Sequence, residues 1–138
     1  MGEPDDHPAR AASHRSMTAV EAGDREAWLA IFTDDAVVED PIGRSPLDPE
    51  GHGRRGKAAI AAFWDDVISS GHVTFAIRES YACGNECANV GQIATTFPDG
   101  SRSLVEGVYT YRVDDDGGLV ALRAFWEFDA MTFEAAPT

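Results

Sequence analysis

Asp40 closes the apolar run AVVED, and Pro41 follows it. A carboxylate at the end of such a run is able to face an enclosed apolar space. Loss of solvent there raises its pKa and makes it a stronger base. Spacing alone leaves a second role open, because Asp before Pro also starts turns. Glu39, one residue earlier, points to the other side of a strand and reads as structural or solvent-facing. A second carboxylate could come from KAAIAAFWDDVISS, where Asp65 turned inward would make an acid–base pair with Asp40. The apolar stripe of that run claims its inner face, which assigns Asp65 to solvent instead. Glu106 and Tyr109 have opposite strand parity, so they cannot both face one cavity. His14 and His72 read as surface residues rather than catalysts. Cys83 and Cys87, in CGNEC, lack two further ligands for a zinc site and lack the spacing of a redox pair. Both read as free thiols flanking a turn, and no metal is expected.

The elements that must position these groups follow from periodicity. Residues 1–8 are rich in Pro and Asp and read as a disordered tail. A helix of small residues spans 9–22 and stops at Gly23. Asp24 is a good N-cap for a second helix carrying Trp28, Leu29, Ile31 and Phe32. AVVED is a short strand ended by Pro41. Residues 42–56 carry Pro, Gly and charge and form a loop, with a short strand near its end. In KAAIAAFWDDVISS, Ile60, Phe63, Trp64, Val67 and Ile68 mark a third helix running to Gly71. VTFAIRESYA, CANVGQIATTF, SLVEGVYTYRV and LVALRAFWEFD read as four strands, with turn signals at PDG and DDDGG. Helices first and antiparallel strands after them define an α+β class. The expected architecture is three N-terminal helices on a strongly curved, mainly antiparallel sheet, a cone with an internal apolar pocket. The domain spans 9–131, and 132–138 is expected as a C-terminal tail.

The 138 residues suffice for one domain with a real core. A net charge of −13 opposes binding to nucleic acid or to anionic membrane surfaces. No apolar run approaches the roughly 18 residues of a membrane helix. The N-terminus has acids and prolines where a signal peptide needs basic and then apolar residues. A cytoplasmic location is expected. No P-loop or Rossmann glycine signature is present, and no cofactor is expected.

AGDREAWLAIFTDDAVVEDPIG resembles the segment of bacterial ketosteroid (steroid Δ5-3-oxo) isomerases that leads into the catalytic aspartate. The order continues with a Gly-rich loop, GKAAIAAFW as third helix, the strands, and ALRAFW near the end. The match covers about residues 10–130 and is similar above all to actinobacterial steroid-isomerase-like proteins. Beyond that segment it is shared with the wider nuclear-transport-factor-2-like, or SnoaL-like, fold, which hosts many functions. The resemblance places the family's base on Asp40. It places the family's helix-one Tyr on Ser16 and its second oxyanion donor, a protonated Asp, on Tyr109, a phenol able to donate. Trp64 takes the place of a Tyr that supports the first donor. Trp126 takes the place of a pocket aromatic, able to pack on a ring system or to donate its indole N–H. Phe63, Phe75, Phe97, Tyr111, Phe125 and Phe128 are further candidates for the aromatic lining.

Losing one good oxyanion donor typically costs about 10²–10³ in rate. The resemblance with these departures implies three functions. One is an isomerase, weak if the donor is lost, acting on a 3-oxo-Δ5 steroid or similar fused-ring ketone. Another is a non-catalytic binder of steroids or other hydrophobic small molecules. The last is an epoxide hydrolase or cyclase of polyketide metabolism, which would favour an inward Asp65. The resemblance also implies a homodimer through the outer sheet face.

Overall fold

The computed structural model describes residues 7–138. The expected tail lies outside the described residues up to residue 6; of its last two residues, His7 caps the first helix and Pro8 begins it. That helix, α1 (Pro8–Ala22), is capped by His7, whose Nδ1 accepts the Ala9 N–H at 3.1 Å. Pro8 suits the first helical position, where an N–H would have no intrahelical partner. Gly23 ends α1 in the left-handed conformation at φ +69°. Asp24 then caps α2 (Arg25–Ile31) by accepting the Ala27 N–H at 3.1 Å.

The third helix, α3 (Lys57–Asp66), buries Ile60, Phe63 and Trp64. It stops short of the expected end, and Ile68–Ser70 forms a separate 3₁₀ turn. Two causes are visible. Val67 and Ile68 are β-branched and stiff. The serine hydroxyls also bond back to the backbone, Ser69 to the Asp65 carbonyl and Ser70 to the Val67 carbonyl, each at 2.7 Å.

The strands are β1 (Phe32–Glu39), β2 (Arg54–Arg55), β3 (His72–Cys83), β4 (Glu86–Thr96), β5 (Arg102–Val113), β6 (Leu119–Phe125) and β7 (Thr132–Glu134). They form one sheet in the order β2-β1-β6-β5-β4-β3, with β7 pairing on the far end of β5. Only β1 and β6 run parallel among these pairs. This is the expected α+β cone: three helices on a mainly antiparallel, curved sheet. Three boundaries differ. β1 begins at Phe32 rather than at Ala36. β6 ends at Phe125, and Phe128–Ala130 is a 3₁₀ turn. Thr132–Glu134, expected within a tail, is a strand held in part by an ion pair from Arg102 to Glu134 at 3.1 Å.

The curvature comes from two glycines that pair across strands. Gly91 of β4 faces Gly107 of β5. On its other side Gly91 faces Ile77, where the β3 register shifts and Arg78 is left over as a bulge. A Cβ at Gly91 would meet the Ala76 carbonyl oxygen at 2.3 Å, and one at Gly107 the Phe125 carbonyl oxygen at 2.3 Å. The neighbouring backbones thus approach more closely than any side chain permits, and the sheet folds along this line. Gly107→Ala is expected to cost about 1–3 kcal/mol, the range for forcing extra atoms into a packed site. In urea unfolding the midpoint falls with little change in slope.

Candidate active site

The concave side of the sheet and the inner faces of the helices enclose a cavity of about 340 Å³. Its wall is apolar over most of its area. Asp40 is the single charged residue lining it among the described residues. Strand parity explains why Asp40 points there: Ala36 and Val38 are buried on the same face of β1, and Asp40 continues their alternation. Glu39 points the other way and pairs with Arg123 at 2.8 Å. Pro41, joined to Asp40 by a cis peptide, ends the strand, and the Ile42 N–H is tied to the Ala124 carbonyl at 3.0 Å.

The partner of Asp40 comes from 86 residues further along the chain. The Trp126 indole N–H donates to Asp40 Oδ1 at 2.6 Å. Burial raises the Asp40 pKa above the usual carboxylate value, and the Trp126 bond offsets part of that rise. Asp40 as a residue is partly exposed, and it lines the cavity. A charge held by one neutral donor, stripped of bulk water yet open to a ligand, is suited to take up a proton and give it back.

Several expected lining residues are in place: Ser16, Phe63, Tyr109, Tyr111 and Trp126 all touch the cavity. Trp64 does not. It is buried in the core beside Trp28, ring centroids 5.4 Å apart, because the apolar stripe of α3 divides between the pocket (Phe63) and the helix–helix contact. Phe125 is half exposed on the outer face of the sheet, one parity step from Trp126. Asp65 is exposed and ion-paired with Arg25 at 2.9 Å, so it makes no pair with Asp40. Glu106 is also outside, paired with Arg78 at 2.8 Å.

Tyr109 faces inward as parity requires, but its hydroxyl lies against two backbone carbonyls, those of Gly91 and Val105, each at 3.3 Å. Its proton is engaged on the inside of the glycine bend. Ser16, on α1, accepts the Trp28 indole N–H at 3.0 Å and has the Tyr111 hydroxyl as a second neighbour. Both phenols are held well above the usual tyrosine value by burial first and by the Asp40 charge second, so both keep their protons at neutral pH.

The sequence reading missed the rim. Leu47 from the 42–56 loop joins Met131 and Phe133 from the C-terminal segment in lining the cavity. Of these, Phe133 is 71% exposed. The signal available was slight: Leu47 is the lone large apolar residue between Ile42 and Ile60.

Three helices on a curved, mainly antiparallel sheet, with one buried carboxylate lining an apolar cavity, define the structural class. The chain belongs to the SnoaL-like domain family, whose model matches residues 14–132, and within it to the ketosteroid-isomerase-like proteins. A Δ5-3-ketosteroid isomerase from Mycobacterium sp. has a similar structure with a TM-score of 0.88, at 46% identity over 93% of this chain and 99% of that one. A Mycobacterium tuberculosis protein, solved in complex with estradiol-17β-hemisuccinate, matches at 40% identity and a TM-score of 0.86, over 92% of this chain and 99% of the other. A steroid Delta-isomerase of Nocardioides simplex is 29% identical over 85% of this chain and 88% of its own. No helix among the described residues is long and apolar enough to cross a membrane.

Proposed function

We propose that the protein is a steroid Δ5-isomerase-like enzyme in which Asp40 shuttles a proton on a 3-oxo-Δ5 steroid or a similar fused-ring ketone. The Asp40 carboxylate removes the acidic proton between the carbonyl and the double bond. The electrons pass into a dienolate, and the same proton returns at the far carbon to give the conjugated enone. No cofactor enters, because the proton removed is the proton returned. The observation that carries this reading is the desolvated carboxylate, held by a neutral indole N–H, in an otherwise apolar cavity. A volume of about 340 Å³ lies within the range of small-molecule pockets, roughly 300–1,000 Å³. The ketosteroid isomerases among its relatives support the same direction.

A second reading, a binder of steroid-like molecules without turnover, is favoured by two observations. The hydroxyl of Tyr109 is engaged by carbonyls, and Ser16 carries no ring. The epoxide-hydrolase or cyclase reading has less support, since Asp65 pairs with Arg25 outside the cavity.

The deciding experiment is incubation of the wild-type protein with 5-androstene-3,17-dione, followed by absorbance of the conjugated enone. Turnover above the buffer rate, linear in protein concentration, is the expected result. Saturable binding of the steroid without enone formation would replace the isomerase reading with the binder.

A further inference from the structure

Two inward tyrosines share one strand, and their hydroxyls have different surroundings. The Tyr109 hydroxyl sits against the Gly91 and Val105 carbonyls, so donating to a ligand would cost it bonds it already makes. The Tyr111 hydroxyl is not engaged by backbone carbonyls in this way; its side chain lines the cavity, with Ser16 beside its hydroxyl. Ser16 is itself 2% exposed and accepts from the Trp28 indole N–H at 3.0 Å.

The direction of this chain is fixed by its first member. An indole N–H only donates. Ser16 Oγ therefore accepts from Trp28, and its own proton is left to be given onward. The neighbour able to take it is the Tyr111 oxygen, which leaves the Tyr111 proton to be offered to the cavity that this side chain lines. Each bond in such a series polarises the next, so the terminal O–H becomes a stronger donor than an isolated phenol.

We infer that Tyr111, oriented by Ser16 and Trp28, is the group that donates to the oxygen of a bound ketone or enolate, and that Tyr109 instead braces the bend of the sheet. The ligand class follows: a flat apolar ring system carrying a carbonyl, enolate or phenolate oxygen within reach of both Tyr111 and Asp40. Tyr111 is then the residue that touches the ligand, and Ser16 and Trp28 are positioning residues. The inference rests on the proposed function for its catalytic consequence, but not for its binding consequence.

The test uses 2-naphthol, a fused-ring phenol whose oxyanion resembles an enolate, and naphthalene, which has the rings without the oxygen. Both are titrated by fluorescence into Asp40→Asn protein, so that no result depends on proton abstraction. Adding Tyr111→Phe is expected to weaken 2-naphthol at least tenfold and to change naphthalene less than twofold. Adding Tyr109→Phe is expected to weaken 2-naphthol less than Tyr111→Phe does, and to lower the melting temperature. Adding Ser16→Ala is expected to weaken 2-naphthol about three- to tenfold, with Ser16→Thr restoring it. In the Asp40-containing protein, Tyr111→Phe is expected to lower kcat by about 10²–10³ with a smaller change in KM, the usual cost of one oxyanion donor.

A larger loss for Tyr109→Phe than for Tyr111→Phe would overturn the inference. So would equal losses of naphthol and naphthalene, which would make Tyr111 a packing residue, or naphthol binding unmoved by Ser16→Ala. Should Tyr111→Phe fail to fold, the Ser16 pair decides alone. Absence of turnover in the wild type would remove the isomerase reading and leave the naphthol ranking to be judged by itself.

Discussion

Asp40→Asn lowers kcat on 5-androstene-3,17-dione by about 10²–10⁴, the usual contribution of a positioned general base, while the steroid still binds. Asn keeps the oxygen that accepts from Trp126 and keeps the volume, so the cavity wall stays in place. What it cannot do is take a proton. The pH profile of kcat/KM in the wild type carries the same signature. The base must be ionised to act, and burial raises its pKa. The acid limb of the profile is therefore expected above the roughly 3.9 of a solvated aspartate, and it is absent from the residual rate of the variant. Stability moves in the opposite sense. A carboxyl whose folded pKa is raised favours the folded state most below its unfolded pKa, and this contribution is lost as pH rises through the folded value. At neutral pH the wild type bears the full cost of the buried charge, and Asp40→Asn does not. The variant is expected to melt about 3–5 °C higher near pH 7 if it recovers about 1 kcal/mol, and the gap is expected to close as pH falls through the Asp40 titration. A variant that melts lower at neutral pH and keeps the wild-type rate would place the proton-handling group elsewhere.

How far the sequence reached can be judged from these residues. Asp40 was legible because its signals are local: an apolar alternating run sets which way it points, and Pro41 fixes where the run ends. Tyr109 was placed in the site by the resemblance, and Tyr111 shares its strand parity, but their roles were not legible. Which hydroxyl is engaged depends on Gly91 facing Gly107 across β4 and β5, a pairing between residues 16 positions apart that brings the Gly91 carbonyl within 3.3 Å of the Tyr109 hydroxyl. Trp64 shows the corresponding limit for helices. An apolar stripe says that a residue is buried, not whether a cavity or another helix covers it. The Trp126–Asp40 bond spans 86 residues and follows from β1 lying beside β6, in parallel, with Val38 paired to Leu122. The short β7 was missed because three residues are too few for alternation to register.

The other large effect falls on Trp28, which joins the core to the site. Its ring is 1% exposed, lies edge-on to Phe32 at 4.8 Å and tilted to Trp64 at 5.4 Å, and lines the cavity as well. Trp28→Ala is expected to cost about 3–5 kcal/mol, the range for emptying a large aromatic site in a packed interior. In urea this appears as a large fall in the midpoint with little change in slope. Part of that cost belongs to ring volume and part to the indole N–H on Ser16, and Trp28→Phe separates them. Phe restores most of the volume and the edge-on contact but has no donor. It is expected to recover well over half of the lost stability, leaving a deficit of about 1–2 kcal/mol from the smaller ring and the missing bond. If Phe instead unfolds as readily as Ala, the N–H···Ser16 bond outweighs the ring, and α1 is held to α2 chiefly by that contact. In either case Trp28→Phe removes the donor that sets the orientation of Ser16. A folded Trp28→Phe protein that binds naphthalene normally but 2-naphthol poorly would tie the stability of the helix layer to the polarity of the pocket through one side chain.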